Sequence, residues 1–243
     1  MKLYALQFRL ESPPENEKKV FEALSRAEPG SLVLLPELWH GGVSPEAVRS
    51  LAHLTPELLR KLRAVSRKKG LLVAGTLPLK REGKLYNAAF VLDRGRLAGL
   101  RGKRKLFPLF GETELFSPGK ERLVFNTSFG KVGLLICFEL RFPELVAEVK
   151  REAPEFLLVP AQWGYARREH LRVLSRSRAI ELQAYALVAN AWGEHAGTRF
   201  AGSSGIYSPW GEALAYAEKG DALLEAVYEP EELRRVRREL PVY

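Results

Sequence analysis

Apolar residues along this chain follow two different spacings. Short apolar runs bounded by glycine, proline or charged residues predict strands, and they lie at residues 3–8, 32–35, 71–75, 132–136, 156–159 and 185–190. Segments with apolar residues three or four positions apart predict helices, over residues 17–26, 56–69 and 167–183. Strands that alternate with helices indicate an α/β fold with layered sheets.

The shorter periodic segments add antiparallel strands. We predict a hairpin with a turn at Arg94-Gly95, three closing strands and a last helix, at residues 87–93, 97–100, 205–207, 212–216, 222–227 and 229–239. These hairpins indicate that the sheets are mixed. Residues 102–119 have no clear period and many charges, which is typical of a long functional loop.

Length and composition predict one domain, residues 1–243. A chain of 243 residues with 46% hydrophobic content buries a substantial core, and no linker, low-complexity tract or repeat divides it. No apolar run reaches the roughly 18 residues of a membrane helix, and the first residues lack a signal-peptide cleavage site. One cysteine excludes a disulfide framework and a cysteine-based metal site, so we expect a reducing, cytoplasmic setting.

The net charge of +9 raises the question of a nucleic-acid partner. The basic residues are spread over helices with glutamates between them, and no aromatic ladder accompanies them, so we expect no nucleic-acid binding. Abundant Arg, Lys and Glu with a single Met are typical of a heat-adapted protein.

The only cysteine lies in the stretch KVGLLICFELRFPEL, residues 131–145. A buried strand there places Cys137 at its carboxyl end, and Pro143 is suited to begin a helix. Ligands of α/β sheets gather at the carboxyl ends of strands, so this cysteine is well placed for chemistry. The alternative is that Cys137 is simply a small buried apolar residue.

This stretch resembles the cysteine signature of the nitrilase superfamily of carbon–nitrogen hydrolases. Arg141, Phe142, Pro143 and Glu144 match it, while Phe138 and Glu139 stand where a tyrosine and an aspartate are usual. The resemblance implies a four-layer αββα sandwich of two mixed β-sheets, commonly doubled across a dimer interface. It also implies catalysis by a Glu, a Lys and a Cys, with no metal or organic cofactor.

Two further segments supply the other members of that triad. LVLLPELW, residues 32–39, resembles the family's first signature and makes Glu37 the candidate general base, although an ordinary loop glutamate is the alternative. In GKRKLFPLFGE, residues 102–112, the resemblance places the catalytic lysine at Lys103, with Lys105 as the alternative. A lysine there is expected to lower the pKa of the thiol and to face the oxyanion.

The remaining candidates surround this triad. Glu112 matches a second glutamate of the family and either orients Lys103, sets the protonation of Glu37, places the water or lies on the surface. PAQWGYARREHLRVLSRSRAIELQAY, residues 160–185, resembles a further family block. From the cysteine signature and this block together, we predict that the backbone N–H of Phe138 donates to the oxyanion. We also predict that five residues contact the substrate: Glu139, Arg141, Gln162, Trp163 and Arg167. Arg178, Glu181 and Gln183 are expected to lock a helix to the core or to a second subunit.

We therefore expect hydrolysis of a small linear amide to a carboxylate and ammonia through a thioester on Cys137. The W, then R, then H pattern is most similar to the ω-amidase branch, which acts on 2-oxo dicarboxylic acid monoamides. Three alternatives stay open: an N-carbamoyl amino acid or nitrile substrate, a Cys/His hydrolase using His40, His53, His170 or His195, and a non-catalytic interaction module on the same fold. The family suggests at least a homodimer.

Overall fold

The computed structural model describes residues 1–243, apart from the side chain of Phe110. Within that description the strands are β1 (Lys2–Arg9), β2 (Leu32–Leu34), β3 (Leu72–Arg81), β4 (Lys84–Asp93), β5 (Arg96–Gly102), β6 (Val124–Thr127), β7 (Gly130–Leu134), β8 (Phe156–Ala161), β9 (Tyr185–His195), β10 (Thr198–Ala201), β11 (Ser204–Tyr207), β12 (Ala213–Ala217) and β13 (Ala222–Val227). The helices are α1 (Pro13–Arg26), α2 (Pro45–Leu51), α3 (Thr55–Lys69), α4 (Glu112–Leu115), α5 (Pro143–Arg151), α6 (Arg168–Glu181) and α7 (Pro230–Glu239).

Two mixed sheets contain all of these strands except β10, which pairs with one end of β9. The first has the order β13-β1-β2-β3-β4-β5, with β1, β2 and β3 parallel to one another and the other pairs antiparallel. The second has the order β6-β7-β8-β9-β11-β12, with β7, β8 and β9 parallel. The end of β1 also pairs with β9, at Phe8 with Ala191 and Arg9 with Trp192, and this joins the sheets at one corner.

The sheets pack face to face around one apolar core. Leu34 and Ala74 of the first sheet share a buried cluster with Leu134 and Leu158 of the second. The other face of the first sheet carries Val33, Val73 and their neighbours, which pack with apolar residues of α1 and α3. Val149 of α5 and Leu171 of α6 join the cluster on the second sheet. The layers are therefore helix, sheet, sheet and helix, as the resemblance implied.

The predicted long loop at residues 102–119 is partly helical. A 3₁₀ turn at Pro108–Phe110 leads through Gly111, whose φ of 67° suits a residue without a side chain, into α4. The prediction missed both short helices, α2 and α4, because neither is long enough to show a period. Among the helices that the structure describes, none is long and apolar enough to cross a membrane.

Candidate active site

A pocket opens where several strands of the two sheets end. Its empty volume is about 350 Å³, which includes the open mouth. The lining residues are Glu37, Val43, Lys103, Phe107, Glu112, Cys137, Phe138, Arg141, Gln162, Trp163, Gly164 and Arg167. Glu37 follows β2, Lys103 follows β5, Cys137 follows β7 and Gln162 follows β8. Side chains from distant parts of the sequence thus meet in one cavity.

Cys137 lies at a sharp change of backbone direction. It begins a 3₁₀ turn, Cys137–Arg141, and is separated from the end of β7 at Leu134 by only two residues. Its φ is +46°, a left-handed conformation that side chains other than glycine's rarely adopt. Such strain persists only where the surroundings hold the residue in place, and it is concentrated at functional sites. The turn leaves the thiol facing the pocket at 8% exposure of the residue.

Lys103 sits between two carboxylates. Its Nζ lies 2.8 Å from Oε1 of Glu37 and 2.9 Å from the Glu112 carboxylate, and all three side chains are 1% exposed. The backbone of Lys103 is also held, since its N–H donates to the Asn87 carbonyl over 2.8 Å. Glu112 additionally accepts the Phe107 N–H over 2.7 Å. Among the roles considered for Glu112, these contacts fit the one in which its carboxylate orients the Lys103 ammonium.

Lys105, the alternative lysine, points elsewhere. Its Nζ forms a 2.8 Å ion pair with Glu144 and lies 4.7 Å from the centre of the Phe142 ring. Its side chain is 36% exposed and does not line the pocket. The structure therefore brings Lys103, and not Lys105, to the cysteine.

Glu37 is fixed from three directions. Oε1 accepts the Asn87 side-chain amide over 2.7 Å as well as the Lys103 ammonium, and Oε2 accepts the Gln162 backbone N–H over 2.9 Å. The Gln162 side chain donates to the Glu37 carbonyl over 2.6 Å. Sequence reasoning missed Asn87, although an asparagine between apolar residues of a buried strand was a usable signal.

The charges of this cluster shift its titrating groups. Burial alone lowers the pKa of Lys103, but the carboxylates of Glu37 and Glu112 outweigh it and raise that pKa above its usual value. Burial raises the pKa of Glu112, an effect that the Lys103 charge opposes and the Glu37 charge reinforces. Lys103 is thus a permanent cation at neutral pH, available to stabilise negative charge.

The cysteine titrates under opposing influences. Burial raises the pKa of the Cys137 thiol well above its usual value, and the Glu37 charge raises it further, against the lowering effect of Lys103. The lysine lowers the thiol pKa as expected, but desolvation dominates and the pKa is raised overall. Cys137 is a thiol at neutral pH and needs a base at the moment of attack.

Two arginines line the mouth of the pocket. The Arg141 guanidinium lies 4.6 Å from the Trp163 ring centre and 3.1 Å from Nδ1 of His170. The Arg167 guanidinium lies 5.5 Å from the Phe107 ring centre. In the part of the chain that the structure describes, neither forms an ion pair with a carboxylate. Both charges face an opening that suits an anionic group.

The pocket wall on this side is rigid. Trp163 donates its backbone N–H to Oδ1 of Asn190 over 2.7 Å and its indole N–H to the Arg167 carbonyl over 2.8 Å. Phe138, which also lines the pocket, packs edge-on against Phe107 and Phe142, with ring centres 5.1 and 5.0 Å away. Aromatic rings therefore form part of the pocket wall.

Glu139 and Arg178 lie outside the pocket. Glu139 is fully buried and paired with Arg101, so from this position it does not touch a substrate, contrary to the expectation for it. Arg178 of α6 donates to the Leu140 carbonyl over 3.2 Å, which locks the helix to the cysteine turn as expected. Gln183 donates its side-chain amide to the Leu240 carbonyl and so holds the end of the chain.

No histidine is among the described residues that line the pocket. His40 is buried near Glu17, with Nε2 4.0 Å from its carboxylate, and His170 lies beside Arg141. Nothing in this geometry supports a Cys/His pair. Among the described residues, no group of His, Cys, Asp and Glu side chains is arranged to hold a metal ion.

Comparison with known proteins gives a consistent result. The sequence profile of the carbon-nitrogen hydrolase family matches residues 11–238. The chain is 30% identical over 244 residues to a 2-oxoglutaramate amidase of Bacillus subtilis strain 168, covering 98% of this chain and 94% of the relative. It is 31% identical over 259 residues to the omega-amidase NIT2 of Xenopus tropicalis, covering 99% and 93%.

Solved structures show the same fold. Saccharomyces cerevisiae Nit3, a member of branch 10 of the nitrilase superfamily, superposes with a TM-score of 0.88 at 24% identity, over 100% of this chain and 94% of that one. An amidase from Nesterenkonia sp. AN1 in complex with butyramide superposes with a TM-score of 0.85 at 24% identity, over 98% and 94%.

Proposed function

Because this chain belongs to the carbon-nitrogen hydrolase family, we propose that its Glu37, Lys103 and Cys137 hydrolyse a small linear amide to a carboxylate and ammonia. One observation carries the assignment of the residues: the Lys103 ammonium lies 2.8 Å from Glu37 in the same pocket as the only cysteine of the chain. A base, a cation and a nucleophile in one buried cavity are the groups that acyl transfer requires.

The first half of the reaction forms a thioester. Sγ of Cys137 attacks the amide carbon while Glu37 accepts the thiol proton, which the raised pKa of the thiol makes necessary. The oxyanion of the tetrahedral intermediate is stabilised by the Lys103 ammonium and the backbone N–H of Phe138. Glu37 then gives its proton to the nitrogen, the carbon–nitrogen bond breaks and ammonia leaves.

The second half releases the acid. Glu37 removes a proton from a water molecule, whose oxygen attacks the thioester carbon at the same oxyanion site. Collapse of this second intermediate expels Cys137, which recovers its proton from Glu37. Glu112 keeps the Lys103 ammonium in place through both halves.

For the substrate we propose a 2-oxo dicarboxylic acid monoamide. The relatives named 2-oxoglutaramate amidase and omega-amidase support this class. Arg141 and Arg167 support it independently, because guanidinium groups without acidic partners bind a carboxylate well. The terminal amide then reaches Cys137 while the carboxylate stays at the mouth.

We also propose a homodimer or a higher homo-oligomer that works in the cytoplasm. Exposed apolar side chains on α6 and β12, which are Val173, Ile180, Leu214 and Tyr216, support a contact between copies. A nucleophilic cysteine must stay reduced, which supports a reducing compartment. Light scattering during gel filtration measures the assembly, and a monomer at micromolar concentration contradicts it.

The decisive experiment measures ammonia release. The purified protein is incubated with 2-oxoglutaramate, glutamine, butyramide, N-carbamoyl amino acids and nitriles, beside Cys137→Ala. We expect release from 2-oxoglutaramate that is lost in the variant while its circular dichroism spectrum is unchanged. Turnover retained by Cys137→Ala contradicts the mechanism, and a preference for a carbamoyl compound or a nitrile contradicts the substrate class.

The role of the arginines has its own test. Arg141→Met and Arg167→Met are each expected to raise KM for 2-oxoglutaramate roughly 10- to 100-fold, the scale of a hydrogen bond to a charged group. KM for neutral butyramide is expected to change little. Arg168→Met, on the neighbouring residue outside the pocket, serves as the matched control.

A further inference from the structure

The carboxylate of Glu139 is held by four N–H groups although it is completely buried. Oε2 accepts the Ile136 backbone N–H over 2.7 Å and the Arg101 guanidinium over 2.8 Å. Oε1 accepts the Arg104 backbone N–H over 2.5 Å and the second guanidinium nitrogen of Arg101. Both side chains of the pair have an exposure of 0%. A carboxylate so enclosed is not part of the pocket, and it touches no substrate.

The two backbone donors flank two of the groups that we assign to catalysis. Ile136 immediately precedes Cys137, and Arg104 immediately follows Lys103. These segments lie far apart in the sequence, at the ends of strands in different sheets. One carboxylate therefore ties the segment that carries the nucleophile to the segment that carries the cation.

Arg101 extends this tie into the strands. It is the last but one residue of β5, and its Nη1 also donates to the carbonyl of Leu134, the last residue of β7, over 3.2 Å. Burial of such a pair is not in itself evidence of stability, because desolvation offsets the attraction of the charges. Its value lies in the fixed, two-pronged geometry.

The backbone of Cys137 needs such support. Its φ of +46° is a strained conformation, and a hydrogen bond to the preceding N–H restricts the turn in which the strain is held. A displacement of about 1 Å between reacting groups costs on the order of 10²-fold in rate. The contact between the two segments is therefore a direct control on turnover.

We propose that Glu139, clamped by Arg101, is a positioning residue that sets the distance between the Cys137 thiol and the Lys103 ammonium. This inference rests on the proposed function, since it assumes that these two groups carry the reaction. It gives the pair of charges a kinetic role, separate from any contribution to folding.

The test uses four variants: Glu139→Gln, Arg101→Met, the double variant of both, and Arg237→Met. Glu139→Gln keeps the size of the side chain, but its amide NH₂ group cannot accept a hydrogen bond from the N–H groups that surround the carboxylate. We therefore expect kcat to fall about 10- to 100-fold with KM nearly unchanged. Alkylation of Cys137 by iodoacetamide is expected to slow in parallel. Arg101→Met leaves the hydrogen bonds from the Ile136 and Arg104 backbone N–H groups to Glu139 in place. We therefore expect a smaller fall in kcat for Arg101→Met than for Glu139→Gln.

Arg237→Met is the control for stability alone. Arg237 donates hydrogen bonds to the backbone carbonyls of Ala153, Pro154 and Gln183, none of which lines the pocket, so its loss is expected to lower the melting temperature and leave kcat unchanged. If Glu139→Gln behaves like this control, the inference is overturned. If Glu139→Gln does not fold, Glu139→Asp takes its place in the test, because the shorter side chain cannot hold all four N–H groups at the same distances. A wild-type kcat in Glu139→Asp also overturns the inference.

The double variant separates positioning from charge neutralisation. If Arg101 and Glu139 serve only to neutralise each other, removing both charges restores kcat to the wild-type value, and the inference fails. If Glu139 positions the two segments, the double variant stays as slow as Glu139→Gln. Retained turnover in Cys137→Ala, by contrast, removes the proposed function itself, so the two failures are distinguishable.

Discussion

Lys103 shows how one side chain depends on the charges around it. An isolated buried ammonium loses its proton, because desolvation disfavours the charged form. Here two carboxylates within 2.9 Å reverse that effect and raise the pKa. The cation is thus maintained by Glu37 and Glu112, and its position by their geometry.

Replacing this lysine should affect chemistry more than binding. Lys103→Ala is expected to lower kcat by about 10²- to 10³-fold, the cost of one lost oxyanion donor. Steady-state ammonia release measures it. Lys105→Ala is the matched control and is expected to leave kcat unchanged, because Lys105 pairs with Glu144 outside the pocket. The reverse pattern in the two variants contradicts the assignment.

Tyr207 carries a buried hydroxyl for which the described atoms offer no hydrogen-bond partner. Burial raises the pKa of its phenol from 10.0 to about 12. The folded protein holds the phenol proton of Tyr207 more tightly than the unfolded chain does. The free energy of unfolding therefore receives the full contribution of this proton below the unfolded pKa of 10.0. That contribution is lost progressively as the pH rises through about 12.

Tyr207→Phe removes both the unpaired hydroxyl and this titration. We expect the variant to be at least as stable as the wild type at about pH 8, by up to about 1 kcal/mol. Its free energy of unfolding should fall less steeply between about pH 10 and 12, as measured by urea denaturation. If Tyr207→Phe instead lowers the free energy of unfolding by about 2 kcal/mol or more at about pH 8, the expectation is contradicted. A loss of that size is the cost of leaving a buried polar partner of the hydroxyl unpaired.

Local motifs made part of the site predictable. Cys137, Glu37 and Lys103 each lie in an ordered run of matching residues, so the sequence alone named them as candidates, and all three line one pocket. The contact of Asn87 with Glu37 and the burial of Glu139 against Arg101 were not predictable in this way. Glu37, the partner of Asn87, lies 50 residues away along the chain, and Arg101, the partner of Glu139, lies 38 residues away. No local spacing encodes such contacts.

At the level of elements, α1 is stabilised at its C-terminal end by a residue of another helix. The last carbonyls of a helix have no partner within it. Lys69, the last residue of α3, donates its ammonium to the carbonyls of Leu24, Ser25 and Ala27. A positive charge at this end also suits the helix dipole.

Lys69→Met is therefore expected to destabilise the protein by about 1 to 3 kcal/mol, the cost of unpaired groups and a lost charge. Chemical denaturation measures the change. Lys68→Met, at the preceding exposed position of the same helix, is the control and should change stability by less than about 0.5 kcal/mol. Equal effects of the two substitutions contradict the capping role.

Length decided which elements the sequence revealed. The helix predicted at residues 56–69 is α3, because its period repeats over 15 residues. Helix α2 has only 7 residues, and its start depends on one hydrogen bond, from the Ala47 N–H to the Ser44 hydroxyl. Such local chemistry outweighs periodicity in short segments.

For the molecule as a whole, surface charges form connected groups. Glu17 of α1 binds Lys61 of α3 over 2.7 Å, and Lys61 approaches Glu57, which also pairs with Arg60. Networks of this kind contribute more as the temperature rises, since the cost of desolvating charges falls. They add a structural reason for the heat adaptation that the composition predicts.

We expect a thermal unfolding midpoint above about 65 °C, the upper end of the ordinary mesophilic range. Differential scanning calorimetry at low and high salt measures it. The midpoint should fall when salt screens the surface pairs. A midpoint within the mesophilic range at low salt is incompatible with heat adaptation.

The pairing of the two sheets was beyond the reach of periodicity. Apolar runs in β7, β8 and β9 indicate only that these strands are buried on both faces, and not what covers them. The family resemblance supplied the four-layer arrangement, and the fold confirms it.

The layered arrangement also has a consequence for evolution. Glu37 and Lys103 extend from the first sheet, whereas Cys137 and Gln162 extend from the second. The distances between them therefore depend on the thickness of the core, to which residues such as Leu34 and Leu134 contribute, as well as on the contact that Glu139 makes between the two segments. Natural selection for turnover consequently acts on side chains that never meet a substrate, and drift in core volume is limited by catalysis as well as by folding.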